Sequence, residues 1–557
     1  MIKRIRPFLF PALVAGVFTA CQSPDTGTAE AGAETVSALS TDSYSKYLTA
    51  LAADEMEGRK PFTAGEQKTL DYLEQEFKAL GVEPGNNGSY FQEVPMVEVN
   101  TTASPSMTIK GKQQELKLEG RNDYVIWTKR TDAAVTIDPT DMVFVGFGIV
   151  APEYNWNDYA GVDVKDKIVV MLVNDPGFYT QDPAVFKGKA MTYYGRWTYK
   201  FEEAARQGAK GALIVHDTEP AGYGFQVVQN NWNTSKMYLD NRGRETYKCA
   251  MEGWITTQIA EKLFAAAGMD YKAVLNKAAK PGNKPFPLNL QASTSMQVKT
   301  RYDKTSNFIA KITGSTRPDE TIIYTGHWDH LGIGKADAAG DSIYNGAVDN
   351  ASGVAGLLAI AKAFKAQSVQ PERTVVFLAV TAEEQGLWGS AYYAENPVFA
   401  KEKTVANINM DMMNPYGTTK DVVLYGMGQS ELEDYITAEA EAAGRYIAPE
   451  ENPEAGLYYR SDHFNFAKIG IPALFIGPGV DLVEGGKVLG KQKLDEYYAS
   501  YYHKAADQVH ADYKMDGVVE DLKLLYQVGR RLAGSSEWPQ WKVGSEFKAV
   551  RDGYMRK

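Results

Sequence analysis

The amino-acid sequence predicts an α/β protein, with a mixed, largely parallel central sheet flanked by helices and a β-rich insert in its first half. Three observations carry this expectation. After Thr305, apolar runs of strand length alternate with helical patterns, as they do where parallel strands are joined by helical crossovers. Between Thr101 and about Gln291 that alternation gives way to strand patterns, loops rich in glycine and tyrosine, and only short helical stretches. The composition, 557 residues with 44% hydrophobic and 23% charged, supports a large core and excludes disorder, collagen or a disulfide-dense scaffold. With 59 basic against 70 acidic side chains the net charge is -11, so no global field attracts nucleic-acid phosphates, and nucleic acid is not an expected partner.

Taken in order, Lys3, Arg4 and Arg6 precede a mostly apolar stretch over 8–20 that is too short to span a bilayer comfortably, which predicts an export signal over 1–20. Thr19 and Ala20 lead directly into Cys21, a pattern that resembles a bacterial lipoprotein signal and implies a lipid anchor on Cys21, with a polar tether over 21–43. Only Cys249 then remains, so no disulfide is expected within the mature chain. Residues 44–100 open the main domain. Leu70, Leu73, Phe77 and Leu80 share one helical face, and Gly81 follows as a stop. The insert spans 101–300 and leaves through a proline-rich segment, 281–287. No second apolar run approaches transmembrane length; 143–151, 168–173 and 375–380 are strand-sized.

The main domain resumes over 301–545, ahead of a tail at 546–557. Strands are expected at 307–312 and 321–325, joined by a turn at 314–319. A helix starting at Ser352 carries Val354, Leu357, Leu358, Ala361 and Phe364 on one face. Strands at 374–381, 405–411 and 422–425, a helix at 430–443 and a strand at 471–476 continue the alternation.

Chemistry gathers where these apolar runs end. Of six histidines, His327 lies just past a strand in His327-Trp328-Asp329-His330, where Asp329 is placed to hold the second ring nitrogen and fix the tautomer. Carboxylates follow at Asp349, at the adjacent Glu383 and Glu384, and at Asp411; a further histidine, His503, sits in Tyr501-Tyr502-His503-Lys504. A single acidic residue at a strand end is usually a solvated cap. This set instead terminates strands or opens a helix, where open α/β sheets collect functional groups. Two histidines and three carboxylates suit two zinc ions, with one carboxylate between them and a further one kept off the metals as a base. On an extended backbone the neighbours Glu383 and Glu384 point different ways, so one can ligate while the other moves protons.

With these motifs the sequence resembles the co-catalytic dizinc aminopeptidase family, which includes secreted bacterial leucyl aminopeptidases and the glutamate carboxypeptidase and transferrin receptor branch. The segment Asp54-Glu55-Met56-Glu57-Gly58-Arg59 and Ser461-Asp462-His463, leading to Gly470-Ile471-Pro472-Ala473, belong to the same resemblance. It implies a zinc exopeptidase fold. It also implies that His327 and Asp411 bind one zinc, Glu384 and His503 bind the other, Asp349 bridges them through a cis Asp349–Asn350 peptide, and Glu383 is the general base; Asp329, beside His327, is counted with Glu383 among the catalytic residues. His330 is expected to support the site without ligating. Tyr459, Arg460, Asp462 and His463 are candidate substrate-binding residues; Asp462 and His463 could equally cap a helix at 464–468. In the insert, Val145-Gly146-Phe147-Gly148-Ile149, Tyr159-Ala160-Gly161-Val162, Lys167-Ile168-Val169-Val170 and 204–212 resemble a protease-associated domain with a core over about 139–270, and His216 is read as a packing residue there.

The function so implied is an exported metallo-exopeptidase, anchored by lipid in a bacterial cell envelope and facing the periplasm or the cell surface, that removes N-terminal residues from peptides. Two rivals remain: carboxypeptidase or dipeptidase action on the same centre, and a receptor-like binding protein on the same fold. The acidic Glu383 and Asp411 suit a free amine, whereas Arg460 is the one arginine beside a motif that could hold an α-carboxylate.

Overall fold

The computed structural model describes residues 38–112, 114–244 and 246–556; the export signal and Cys21 lie outside them. The first helix, Thr41–Leu51, begins where the Ser43 amide donates to Ser40 Oγ at 3.3 Å, and buries Tyr44, Tyr47, Leu48 and Leu51. The helix Ala64–Ala79 buries Leu70, Leu73 and Phe77 as its spacing predicts. It ends where Gly81 takes φ 68°, a conformation that favours glycine.

The sheet of the main domain follows from its pairings. Residues 307–312 run antiparallel to Arg373–Val380, beside which Arg317–His327, Thr404–Asn409 and Ala473–Gly477 lie parallel in that order; Asp421–Leu424 reverses direction, and Tyr446–Pro449 closes the edge. The central strands Arg373–Val380 and Thr404–Asn409 are buried along their whole length, consistent with helices on both faces. On one face the helix Ser352–Lys365 packs between Thr41–Leu51 and Asp516–Ala533. Ala355, Gly356, Ala359 and Ala363 are buried together with the predicted face, so this helix is enclosed nearly all round. By length and composition 347–365 could cross a membrane, but 94% of its most apolar window lies buried inside the fold.

The insert is built around four parallel strand segments, 142–144, Ile168–Leu172, Gly211–His216 and Met251–Thr256, covered by helices Trp197–Arg206, Thr257–Ala266 and Tyr271–Ala278. Two long antiparallel strands, Phe91–Ala103 and Phe286–Ile312, pair from 91 to 103 and run out of the main domain into the insert, so the chain crosses residues 100 and 300 without a break in the ladder. The apolar run at 143–151 is not one strand. Ala134–Phe144 stops because Gly146 and Gly148 take φ 58° and 68°, and the buried Asp158 carboxylate accepts the amides of Phe147 and Ile149 at 3.0 and 3.1 Å. His216 is buried against Tyr223, Phe225 and Trp254, the packing role expected of it.

Candidate metal centre

Register brings the site together. His327 ends its strand opposite Val380 on one side, and Thr325 pairs with Asn409 on the other, so the chain leaving each of these parallel strands carries His327, Glu383 with Glu384, or Asp411 to the same edge. Asp349 arrives from the turn Ala347–Ala351 that precedes the helix Ser352–Lys365, and His503 follows the helix Gly486–Ser500. The Asp349–Asn350 peptide is cis.

The side chains form two half-sites that share one carboxylate. His327 Nε2 lies 3.2 Å from Asp349 Oδ1 and 3.3 Å from Asp411 Oδ1. His503 Nε2 lies 3.1 Å from Asp349 Oδ2 and 3.2 Å from Glu384 Oε2. Asp349 therefore offers a different oxygen to each half. Ligands held about 2.0–2.2 Å from a tetrahedral zinc stand about 3.3–3.6 Å from one another, close to these spacings, and imidazole with carboxylate is a donor set that zinc accepts. Glu383 is near but separate, its Oε2 3.9 Å from His327 Nε2.

The surroundings concentrate negative charge. Burial, reinforced by the nearby carboxylates Glu384, Asp411 and Asp462 and opposed by His327, pushes Glu383 well above the usual carboxylate range. Burial pushes Asp329 up to about 8 and Asp462 up to about 7. Burial opposes ionisation of Asp349, yet hydrogen bonds from His327 and His503 hold it well below its ordinary value. Such a cluster is costly to bury without compensating cations, and divalent ions would supply them.

Several expected residues take roles that spacing alone does not reveal. Asp329 does not hold His327 through its carboxylate, which is 3.9 Å away; its backbone carbonyl meets His327 Nδ1 at 3.1 Å. The Asp329 carboxylate instead accepts the Glu383 amide at 3.0 Å. Glu383 and Glu384 diverge as expected, but not from an extended backbone: Ala382 takes φ 52° and turns the chain just before them. His330 contributes Nδ1, 2.7 Å from Glu384 Oε1, and so orients that carboxylate. The Asp462 carboxylate does not cap the helix His463–Lys468; it accepts from Ser390 Oγ at 2.5 Å. His463 makes no hydrogen bond, packs between Tyr458 and Phe475, and is pulled down to about 3 by burial. Tyr459 lies in a buried cluster with Tyr458, Phe464, Trp541 and Phe547, so the structure gives it a packing role.

Three supporting residues had no role assigned from the sequence. Asp507 accepts the Val348 and Asp349 amides at 3.1 and 3.2 Å and the Tyr497 hydroxyl at 3.1 Å, which fixes the turn carrying the shared carboxylate. Its nearness to His503 in the chain was the only available signal. Asn350 donates from Nδ2 to Met410 O at 2.9 Å and accepts the Met412 amide at 3.3 Å, tying the Asp349 turn to the Asp411 loop. Arg59, 1% exposed, donates to the carbonyls of Leu51, Trp328, Asn345 and Gly346 and so pins the loops on which His327 and Asp349 sit. Arg59→Met is expected to leave those carbonyls unpaired and destabilise the fold by about 3 kcal/mol or more, read as a lower denaturant midpoint; an unchanged midpoint would remove this role.

Residues 307–526 match the model of Peptidase family M28. A protein of Pyrenophora tritici-repentis described as a probable zinc metalloprotease is 30% identical over 167 residues, which is 29% of this chain and 34% of that protein. The mouse protein described as aminopeptidase NAALADL1 is 33% identical over 152 residues, 26% of this chain and 18% of that protein. The matched segment thus spans about a third or less of these relatives. Among solved structures, an aminopeptidase from Aneurinibacillus sp. strain AM-1 aligns over 91% of this chain and 97% of its own at 19% identity and a TM-score of 0.49.

Proposed function

Starting from the Peptidase family M28 domain over residues 307–526, we propose that this protein is an exported dizinc metallo-exopeptidase that removes N-terminal residues from peptides. The observation that carries the reading is the Asp349 carboxylate, which presents Oδ1 to the His327 and Asp411 half-site and Oδ2 to the His503 and Glu384 half-site. Zinc bound there would supply Lewis acidity toward a water and a peptide carbonyl. His327, Asp349 and Asp411 would hold one ion, and His503, Asp349 and Glu384 the other.

The chain's own proton carrier is Glu383. Its Oε2 stands 3.9 Å from His327 Nε2 and its amide is held by Asp329, which places its carboxylate to take a proton from water and pass it to the leaving amine. Glu383, kept outside the proposed ligand set, gives the site an acidic group beside the ions that suits a cationic substrate end, which is why N-terminal cleavage is preferred here over carboxypeptidase or dipeptidase action. The test uses a peptide several residues long: acetylating its N-terminus is expected to prevent cleavage, while amidating its C-terminus leaves it a substrate. The reverse pattern would make the protein a carboxypeptidase. A zinc-loaded protein that cleaves neither form would be a receptor-like binding protein.

The anchor belongs to the same proposal. Acylation of Cys21 would tether the body to an envelope membrane through the polar segment ahead of the first helix. Cys21→Ser is expected to move the protein from the membrane fraction to the soluble fraction, and unchanged fractionation would count against a lipid anchor.

A further inference from the structure

A cavity of about 210 Å³ adjoins the loops of the metal centre, and the chemistry above makes no use of it. Its apolar lining is Phe62 and Ile333 from the main domain and Met237 from the insert strand Ser235–Leu239. Phe62 and Met237 pack in one cluster with Ala382, the residue before Glu383, and with Trp388. On the opposite wall Gly332 and Ile333 follow His330, which orients Glu384. Gly332 lies so close to the Lys60 stem that a Cβ placed on it would come within 2.6 Å of Lys60 Cβ. The cavity is therefore walled by the segments that lead into or support both glutamates.

Phe62 is held there against its own preference. It takes φ 67°, a left-handed conformation that bulky residues rarely adopt and that persists only where the surroundings enforce it. The enforcement is visible: the Phe62 amide donates to Glu66 Oε2 at 2.7 Å, and Thr63 Oγ1 donates to Lys60 O at 2.6 Å. Glycine would make the same turn without strain, so what the strain retains is the ring. That ring is only half-buried, with the Arg301 guanidinium 5.3 Å from its centre, and Ile333 is 59% exposed. Two carboxylates, Glu57 and Glu98, and two cations, Lys60 and Arg301, also line the cavity, so its charge is balanced and favours no ion. Its volume is below the roughly 300–1,000 Å³ of pockets that take a whole small molecule, which leaves room for a single side chain.

We propose that this cavity is a subsite for an apolar side chain of the peptide substrate on the C-terminal side of the cleaved bond, and that Phe62 sets the preference. This rests on the peptidase reading above. Glu383 passes its proton to the leaving amine, so the chain that continues from that amine is the part of the substrate nearest the wall built on Ala382, Phe62 and Met237. An apolar side chain lodged between Phe62, Met237 and Ile333 gains by leaving water, whereas a serine in its place gains little. The insert, through Met237, would then take part in choosing substrates.

Matched hexapeptides test this, each pair identical except for leucine against serine at the second, third or fourth position. The wild-type protein is expected to favour leucine at one of these positions by about tenfold or more in kcat/KM, and the position that responds locates the subsite along the substrate. Phe62→Gly should bring that ratio close to one by loss on the leucine member. Ile333→Ser, a change at an exposed residue, should lower it by about threefold or more, and this variant decides the matter if Phe62→Gly does not fold. No preference at any of the three positions would overturn the subsite, as would a variant that slows both members alike and keeps the ratio. A binding measurement separates this from the peptidase reading: the same pairs are titrated calorimetrically into the Glu383→Gln protein, with and without Phe62→Gly or Ile333→Ser. If wild type cleaves none of the peptides but the titration shows a leucine preference that these substitutions weaken, the peptidase reading falls and the subsite stands. Cleavage without any leucine preference removes the subsite alone.

Discussion

Glu383→Gln is expected to lower turnover by about 100-fold or more while about two zinc ions remain bound. The substitution keeps the size of the side chain and removes its ability to accept a proton. The distances favour Glu384 as the ligand of this pair: Glu384 is tied to His330 at 2.7 Å and stands 3.2 Å from His503, whereas Glu383 comes no nearer than 3.9 Å to His327. The check is a pair of measurements on one preparation, kcat on a peptide with a free N-terminus and zinc content by elemental analysis. Loss of metal in this variant would exchange the roles of the two glutamates.

Asp349→Ala should have the larger effect, because it removes a ligand from both half-sites at once. Loss of partners outside the ligand shell lowers metal affinity by about 10–100-fold, and loss of the shared ligand itself should exceed that range, leaving dialysed protein nearly free of zinc and without measurable turnover. Asp507→Ala supplies the graded control. It leaves every proposed ligand in place and removes the acceptor of the Val348 and Asp349 amides, so metal affinity should fall within that range, with activity recovering as zinc is added. Retention of both ions by Asp349→Ala would show that this carboxylate is not shared.

Much of this site was readable in the order of residues. His327, Glu383, Glu384 and Asp411 each stand at or just past the end of an apolar run, and an apolar run of strand length is a local feature that a sequence displays directly. The same holds for the helix Ala64–Ala79, whose apolar face and terminal Gly81 are set by neighbours in the chain. Local reasoning was less sound where a polar side chain overrides an apolar pattern, as Asp158 does by gathering the amides of 147 and 149 and ending the strand at Phe144.

The chain by itself thus determined which residue types could meet a metal and at which strand ends they stand, since burial patterns and turn residues act over a few positions. Tertiary structure alone decided which ends are neighbours, because register between strands is a non-local pairing with no trace in either strand taken singly. It also decided that the two oxygens of Asp349 face different histidines, that Asp329 serves Glu383 through its carboxylate and His327 through its carbonyl, and that Arg59 closes a cage of four carbonyls. A hydrogen bond is directional over about 3 Å, so its partners are settled only when packing has placed every atom around it.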